Sequence, residues 1–167
     1  MTAKLQEATT PEEYAGAIQH LEPIPTQYRL DTYSPYYRGE NTWEQYVKNV
    51  LLKKHPSDRM RQAARLSGDS WCEHMEGRAR HHALATPEDV EAWSKRLMTE
   101  RSRKTNYEYY FIRVYNFYEY LKRHSEHPHL YNPFLLAAIE YDMTRHIWSL
   151  RIDRRQTKSQ SETTTNE

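Results

Sequence analysis

The segment Arg101-Ser102-Arg103-Lys104-Thr105 holds the residue types best suited to chemistry, and that chemistry is phosphate binding. Its cations and hydroxyls crowd a turn that opens a helical pattern. Free N–H groups and the positive end of the helix dipole favour an anion there. Arg113 follows on the same pattern, about two helical turns beyond Thr105. An earlier pattern, opening at Ser57, carries Arg59, Arg61 and Arg65. Tyr109 either donates its hydroxyl to a phosphate or packs against neighbours. The alternative for all of these charges is a solvated face.

Other chemistries find less. Cys72-x-His74, His81-His82 and His124-x-x-His127-x-His129 invite a metal, but zinc sites draw four ligands from paired spacings, and the chain has 1 Cys. No Gly-rich phosphate loop, Gly-x-Ser-x-Gly elbow or recognisable acid pair is found. The expectation is a protein without enzymatic activity, metal or cofactor.

Charge and composition agree with one cationic face. The formal net charge is +1, unevenly spread. Residues 1–52 carry 4 Lys/Arg against 7 Asp/Glu, residues 53–104 carry 12 against 8, and residues 105–167 carry 8 against 8. The basic middle points to a local anionic partner rather than general stickiness. Mean hydropathy is low, at −1.06, yet 14 Tyr, 4 Trp and 3 Phe can build a small core of rings. A single cysteine forbids an intrachain disulfide. No apolar run approaches the roughly 20 residues of a membrane span, and no signal-peptide pattern opens the chain. A soluble, cytoplasmic protein is expected.

The elements that must position the cations read as helices. Residues 1–40 are rich in Pro, Tyr and Thr. They are expected to form an arm, laid on the domain or left free in solution, with a short helix at about 11–21 after Thr10-Pro11. Asn41-Thr42 caps a helix marked by Trp43, Tyr46, Val47, Val50 and Leu51. Ser57-Asp58 opens another that runs to about Arg78. Gly68 inside it costs about 1 kcal/mol against Ala and implies a kink or close packing. Thr86-Pro87-Glu88-Asp89 caps a third helix, with Val90, Trp93, Leu97 and Met98 on its buried face. Ser102 or Thr105 opens a fourth, whose stripe Tyr110, Val114, Phe117 and Leu121 is core. Asn132-Pro133 starts a trailing helix of about 134–148, and residues 153–167 read as a disordered tail. The pattern predicts an all-α domain over 41–133, with a trailing helix over 134–152.

Taken together, the capped helix, basic turn, aromatic helix and Asn132-Pro133 stop resemble one module. It is similar to the core-binding, SAM-like domain of tyrosine recombinases, the phage integrase family. The resemblance covers residues 42–133. Thr105 matches the family's helix-opening Thr, while Val114, Tyr118, Tyr120 and Leu121 match its apolar and aromatic positions. The run Leu21-Glu22-Pro23-Ile24-Pro25 is similar to archaeal integrase-like proteins. The resemblance implies four main helices in two crossed pairs, the second and fourth facing the major groove. It also implies that Arg59, Arg65, Arg103, Lys104, Thr105, Tyr109 and Arg113 touch DNA.

Two departures from the family matter. Met60 stands where the second helix usually has Thr, which removes one phosphate contact. The family's catalytic Arg, Lys, His and Tyr set lies in a further domain, whereas only 34 residues follow Pro133 here. His146 and Arg151 are five apart and do not form the family's His-x-x-Arg pair.

The expectation is therefore a non-catalytic binder of double-stranded DNA. It would act as an accessory or regulator of recombination, with a full-length recombinase or another protein as a further partner. The rival expectation is a helical protein–protein interaction module on the same scaffold. Arginines gathered on one face favour the first; arginines paired with Glu100, Glu108 or Asp58 favour the second.

Overall fold

A computed structural model describes residues 8–164, with side chains as far as residue 154. Six of its helix starts follow from a short polar side chain turning back onto the backbone. In α1 (Pro11–Ala15), Thr10 Oγ1 accepts from the Glu13 N–H. Gly16, at φ 67°, ends that helix well before residue 21, because its left-handed backbone breaks the hydrogen-bond ladder. Two 3-10 turns, Thr26–Tyr28 and Leu30–Tyr33, lead into the short α2 (Ser34–Tyr37). Asn41 caps α3 (Thr42–Tyr46), which runs through a π turn, Val47–Leu51, into α4 (Leu52–Lys54). Ser57 caps α5 (Asp58–Gly77). Thr86 and Asp89 form a reciprocal capping box on α6 (Pro87–Glu100). Ser102 caps α7 (Arg103–Asn106), which continues through a second π turn, Tyr107–Phe111, into α8 (Ile112–Arg123). Asn132 caps α9 (Pro133–Glu140), and α10 spans Asp142–Thr164. The fold is all-α, with no strand among the described residues.

The core is a cluster of rings. Trp71 of α5 meets Trp93 of α6 at 4.9 Å between centroids and Phe134 of α9 at 5.3 Å. Phe111 stands edge-on to Phe134 at 5.1 Å. The stripe Tyr110, Val114, Phe117 and Leu121 is buried, as its helical period requires.

Three expectations are resolved. Residues 8–40 form an arm that is laid on the domain rather than left free. The Leu30 N–H donates to the Tyr131 hydroxyl at 2.9 Å, Tyr14 stands edge-on to Trp148 at 5.4 Å, and Ile24, Leu30 and Tyr37 are buried. Apolar and aromatic side chains in that segment hold it to the body.

The helix expected at 134–148 is two helices, and its first half does not trail. Every residue of α9 from Pro133 to Ile139 is buried, against α1, α6 and α10. Tyr141 breaks the run in extended conformation, and both new ends find distant or folded-back partners. Arg145 donates to the carbonyls of Ala138 and Ile139 at the end of α9. At the start of α10, Glu91 of α6 accepts from the Met143 N–H at 3.2 Å, the Thr144 N–H at 2.8 Å and the Thr144 hydroxyl at 2.9 Å. Glu91→Ala strands these donors where water is scarce and is expected to cost about 3 kcal/mol in urea unfolding. A loss below about 1 kcal/mol would show that this cap is dispensable.

Third, the tail expected to be disordered from 153 continues α10 to Thr164. Its first residues are anchored, Asp153 to Arg103 and Arg154 to Glu108. Residues 165–167 of that expected tail lie outside the described residues.

Candidate nucleic-acid interface

The nine candidate phosphate-binding residues fall into three surroundings. The first is the seam between α5 and α8. The Arg113 guanidinium lies there, half-buried, with Nη1 3.3 Å from the sulfur of Met60. Its Nε is buried without a hydrogen-bond partner. Burial lowers its pKa, an effect that the Tyr109 and Tyr46 rings partly oppose. No carboxylate pairs with Arg113 among the described residues, so a cation sits beside the first turn of α5 without a counter-charge. Tyr109, one turn before Arg113, is exposed, and Arg59 is next to Met60 on the exposed start of α5. Met60 thus supports the arginine.

The second surrounding is the groove between α5 and the α3 segment. Arg61 and Arg65, one turn apart, line it with Trp43 and Lys48, and Glu44 and Asp69 set two carboxylates among these three cations. Lys53 and Lys54 close α4 nearby in sequence, both exposed. None of Lys48, Lys53, Lys54, Arg59, Arg61 or Arg65 forms an ion pair among the described residues. An unpaired cation in water is cheap, but six in 18 residues repel one another and favour a polyanion. In sequence, Lys53-Lys54-His55-Pro56 reads only as a helix end. The π turn, which inserts one residue and rotates Lys48 relative to α3, has no sequence signature.

The third surrounding withdraws the basic turn from the site. Arg101 donates to Glu100 at 3.0 Å and lies 4.6 Å over the Tyr110 ring. It shares a groove with Asp69, Glu73 and Glu100, where a phosphate meets negative charge. Arg103 donates to the Ser149 hydroxyl at 2.9 Å and to Asp153 at 2.7 Å, which ties α7 to α10. The Thr105 N–H, one of the helix-start donors that could face an anion, is taken by Ser102 Oγ at 3.3 Å. Lys104 alone of the turn's cations is exposed without an ion pair among the described residues. The cause is tertiary: Ser149 and Asp153 reach the turn only because α10 packs across α7.

The histidines assemble into one cluster. Loops from both sides of the fold bring His81, His82, His124, His127 and His129 together around Tyr37 and Tyr120. The His81 and His82 rings stack at 4.1 Å. Yet no group of three or more His, Cys, Asp or Glu among the described residues has the geometry of a metal site. Burial, with help from Asp69 and Glu76, pushes the Cys72 thiol up to about 12, so it is neither a ready ligand nor a nucleophile.

No helix among the described residues is long and apolar enough to cross a membrane. A scan of protein-family models, a search of curated proteins and a search of solved structures each return no match to this chain.

Proposed function

We propose that this chain is a non-catalytic, cytoplasmic DNA-binding domain of the SAM-like, core-binding kind, acting as an accessory or regulator of recombination. The DNA face is the α5–α8 seam and the adjoining α4 corner. Arg59, Arg61, Arg65, Lys104, Tyr109 and Arg113 contact phosphates, with Lys48, Lys53 and Lys54 at the edge. The observation that carries this reading is Arg113, a half-buried guanidinium with no carboxylate partner among the described residues. A phosphate reaching the open side of the guanidinium supplies the missing counter-charge. Arg101 and Arg103 serve the fold instead.

Anisotropy of a labelled duplex over a salt series tests this. With about four phosphates neutralised, log K is expected to fall with log[salt] at a slope near −4. Arg59→Ala/Arg65→Ala is expected to weaken binding and make the slope shallower by about 2. Arg103→Ala, already paired with Asp153, is expected to leave the slope unchanged. No binding even at low salt would sink the proposal.

A second reading, a helical protein–protein interaction module, is favoured by the pairing of Arg101 with Glu100 and of Arg103 with Asp153. An absence of duplex binding in the same assay is its signature.

A further inference from the structure

A cavity outside the cationic face lies where α2 and the start of α3 approach the α8–α9 loop. Its volume is about 500 Å³, within the range of small-molecule sites. Tyr33, Tyr36 and Tyr37 form its aromatic wall, while Glu40, Glu126 and His127 supply its polar groups. Neither lysine nor arginine lines it.

We propose that this cavity binds an organic cation, the alkylammonium or guanidinium group of a ligand, between the Tyr33 and Tyr36 rings and the Glu40 and Glu126 carboxylates. The Tyr33 and Tyr36 rings stand 6.4 Å apart at 49°, a wedge open to a cation on the ring faces. Tyr36 is 78 % exposed, a position in which a large ring does nothing for the core. Tyr37 forms the rigid back wall. It is buried, and its hydroxyl is 2.6 Å from His127 Nδ1. Glu40 is held by a hydrogen bond from Gln45 at 3.1 Å through one oxygen only. Among the described residues its other oxygen has no hydrogen bond, and the Glu126 carboxylate has His124, at 4.0 Å, as its one ionic neighbour.

The charge decides among ligand classes. Two carboxylates repel phosphates, so this cavity is not an extension of the DNA face. An uncharged apolar ligand would dehydrate those carboxylates without compensation. A cation gains from both the rings and the acids.

The test uses the full chain with ¹³C-labelled tyrosine rings, titrated with tetramethylammonium chloride against sodium chloride at equal ionic strength. Saturable shifts at Tyr33 and Tyr36 with tetramethylammonium alone are expected. Tyr36→Ala and Glu126→Gln, both at the surface, are each expected to weaken binding by about threefold to fivefold, while Tyr36→Phe retains it. Unchanged thermal midpoints guard against a folding artefact. A tetralysine peptide that competes identifies the source as a protein side chain. A peptide without effect, beside saturating tetramethylammonium, identifies a free small cation. Equal responses to the two salts, or full binding by Tyr36→Ala, would overturn the proposal.

Discussion

Acidification from about pH 7.5 to about pH 5 is expected to remove roughly 4 kcal/mol of folding stability, through His82 and His129 above all. Burial holds His82 down to about 3, with a contribution from neighbouring His81, and holds His129 down to about 4. His74, His81 and His127 are lowered in the same direction, each chiefly by burial.

The hydrogen bonds explain why a proton is refused. His82 Nε2 accepts from the Trp43 N–H at 3.1 Å. His81 Nδ1 accepts from the Ala83 N–H at 3.0 Å, while its Nε2 donates to the Glu40 carbonyl at 2.7 Å. His129 Nε2 donates to the Ala83 carbonyl at 2.7 Å, and its Nδ1 is buried without a partner. A second proton on His81 or His82 would point N–H at N–H. One on His129 would strand a charge in the core.

Every one of these imidazoles has a folded value below its unfolded one. The unfolded chain therefore binds more protons in the window between them, and stability rises with pH. The contribution is complete above about pH 6.5 and is lost progressively as pH falls toward 4 and then 3. A thermal midpoint lower by roughly 10 °C at about pH 5 is the corresponding readout. His82→Gln keeps an acceptor for Trp43 and removes one titration, so about half of the pH dependence should vanish. A flat stability profile across this window would contradict the assignment of neutral, buried rings.

Gly68→Ala is expected to destabilise the fold by about 2–3 kcal/mol, the opposite of what helix propensity alone predicts. An ideal Cβ at Gly68 would lie 2.0 Å from Trp43 Nε1, 2.6 Å from its Cε2 and 2.7 Å from its Cδ1. Trp43 has little room to retreat. Its ring is edge-on to Phe117 at 5.2 Å and beside Tyr46 at 5.6 Å, and its backbone N–H is bound to His82. The added methyl must displace the α3 segment from α5. Gly77→Ala, where nothing lies within 4 Å, is the matched control and is expected to be neutral or slightly stabilising. Urea unfolding with near-ultraviolet dichroism of the tryptophans reads both. A Gly68→Ala protein more stable than the parent would mean that α3 does not press on α5 here.

These two effects meet at Trp43, and they show where reading the chain residue by residue stops. Gly68 signals a kink or close packing, and the helical pattern marks Trp43 as buried. Neither signal names the other residue, because a contact between positions 43 and 68 has no local signature. The candidate site divides in the same way. Arg59, Arg61, Arg65 and Arg113 remain available because none of them forms an ion pair among the described residues, although Glu44 and Asp69 line the groove of Arg61 and Arg65. Arg101 and Arg103 are lost to Glu100, Tyr110, Ser149 and Asp153. The pairing of Arg101 with Glu100 joins adjacent residues and was open to anticipation, whereas Asp153 is fifty positions from Arg103.

Helix starts needed only local chemistry. Thr10, Asn41, Ser57, Thr86, Ser102 and Asn132 each cap an N–H two or three residues ahead, so the information lies within one turn. The all-α class and the buried stripe of α8 follow from a period that the chain itself carries. Tertiary structure decided the rest. It docked residues 8–40, split α9 from α10 through Glu91, buried α9 and turned scattered histidines into one cluster. In each case the deciding partner lies tens of residues away. Its contribution exists only once the chain has closed around it, and the rings of Trp71, Trp93 and Phe134 provide the common surface on which that closure occurs.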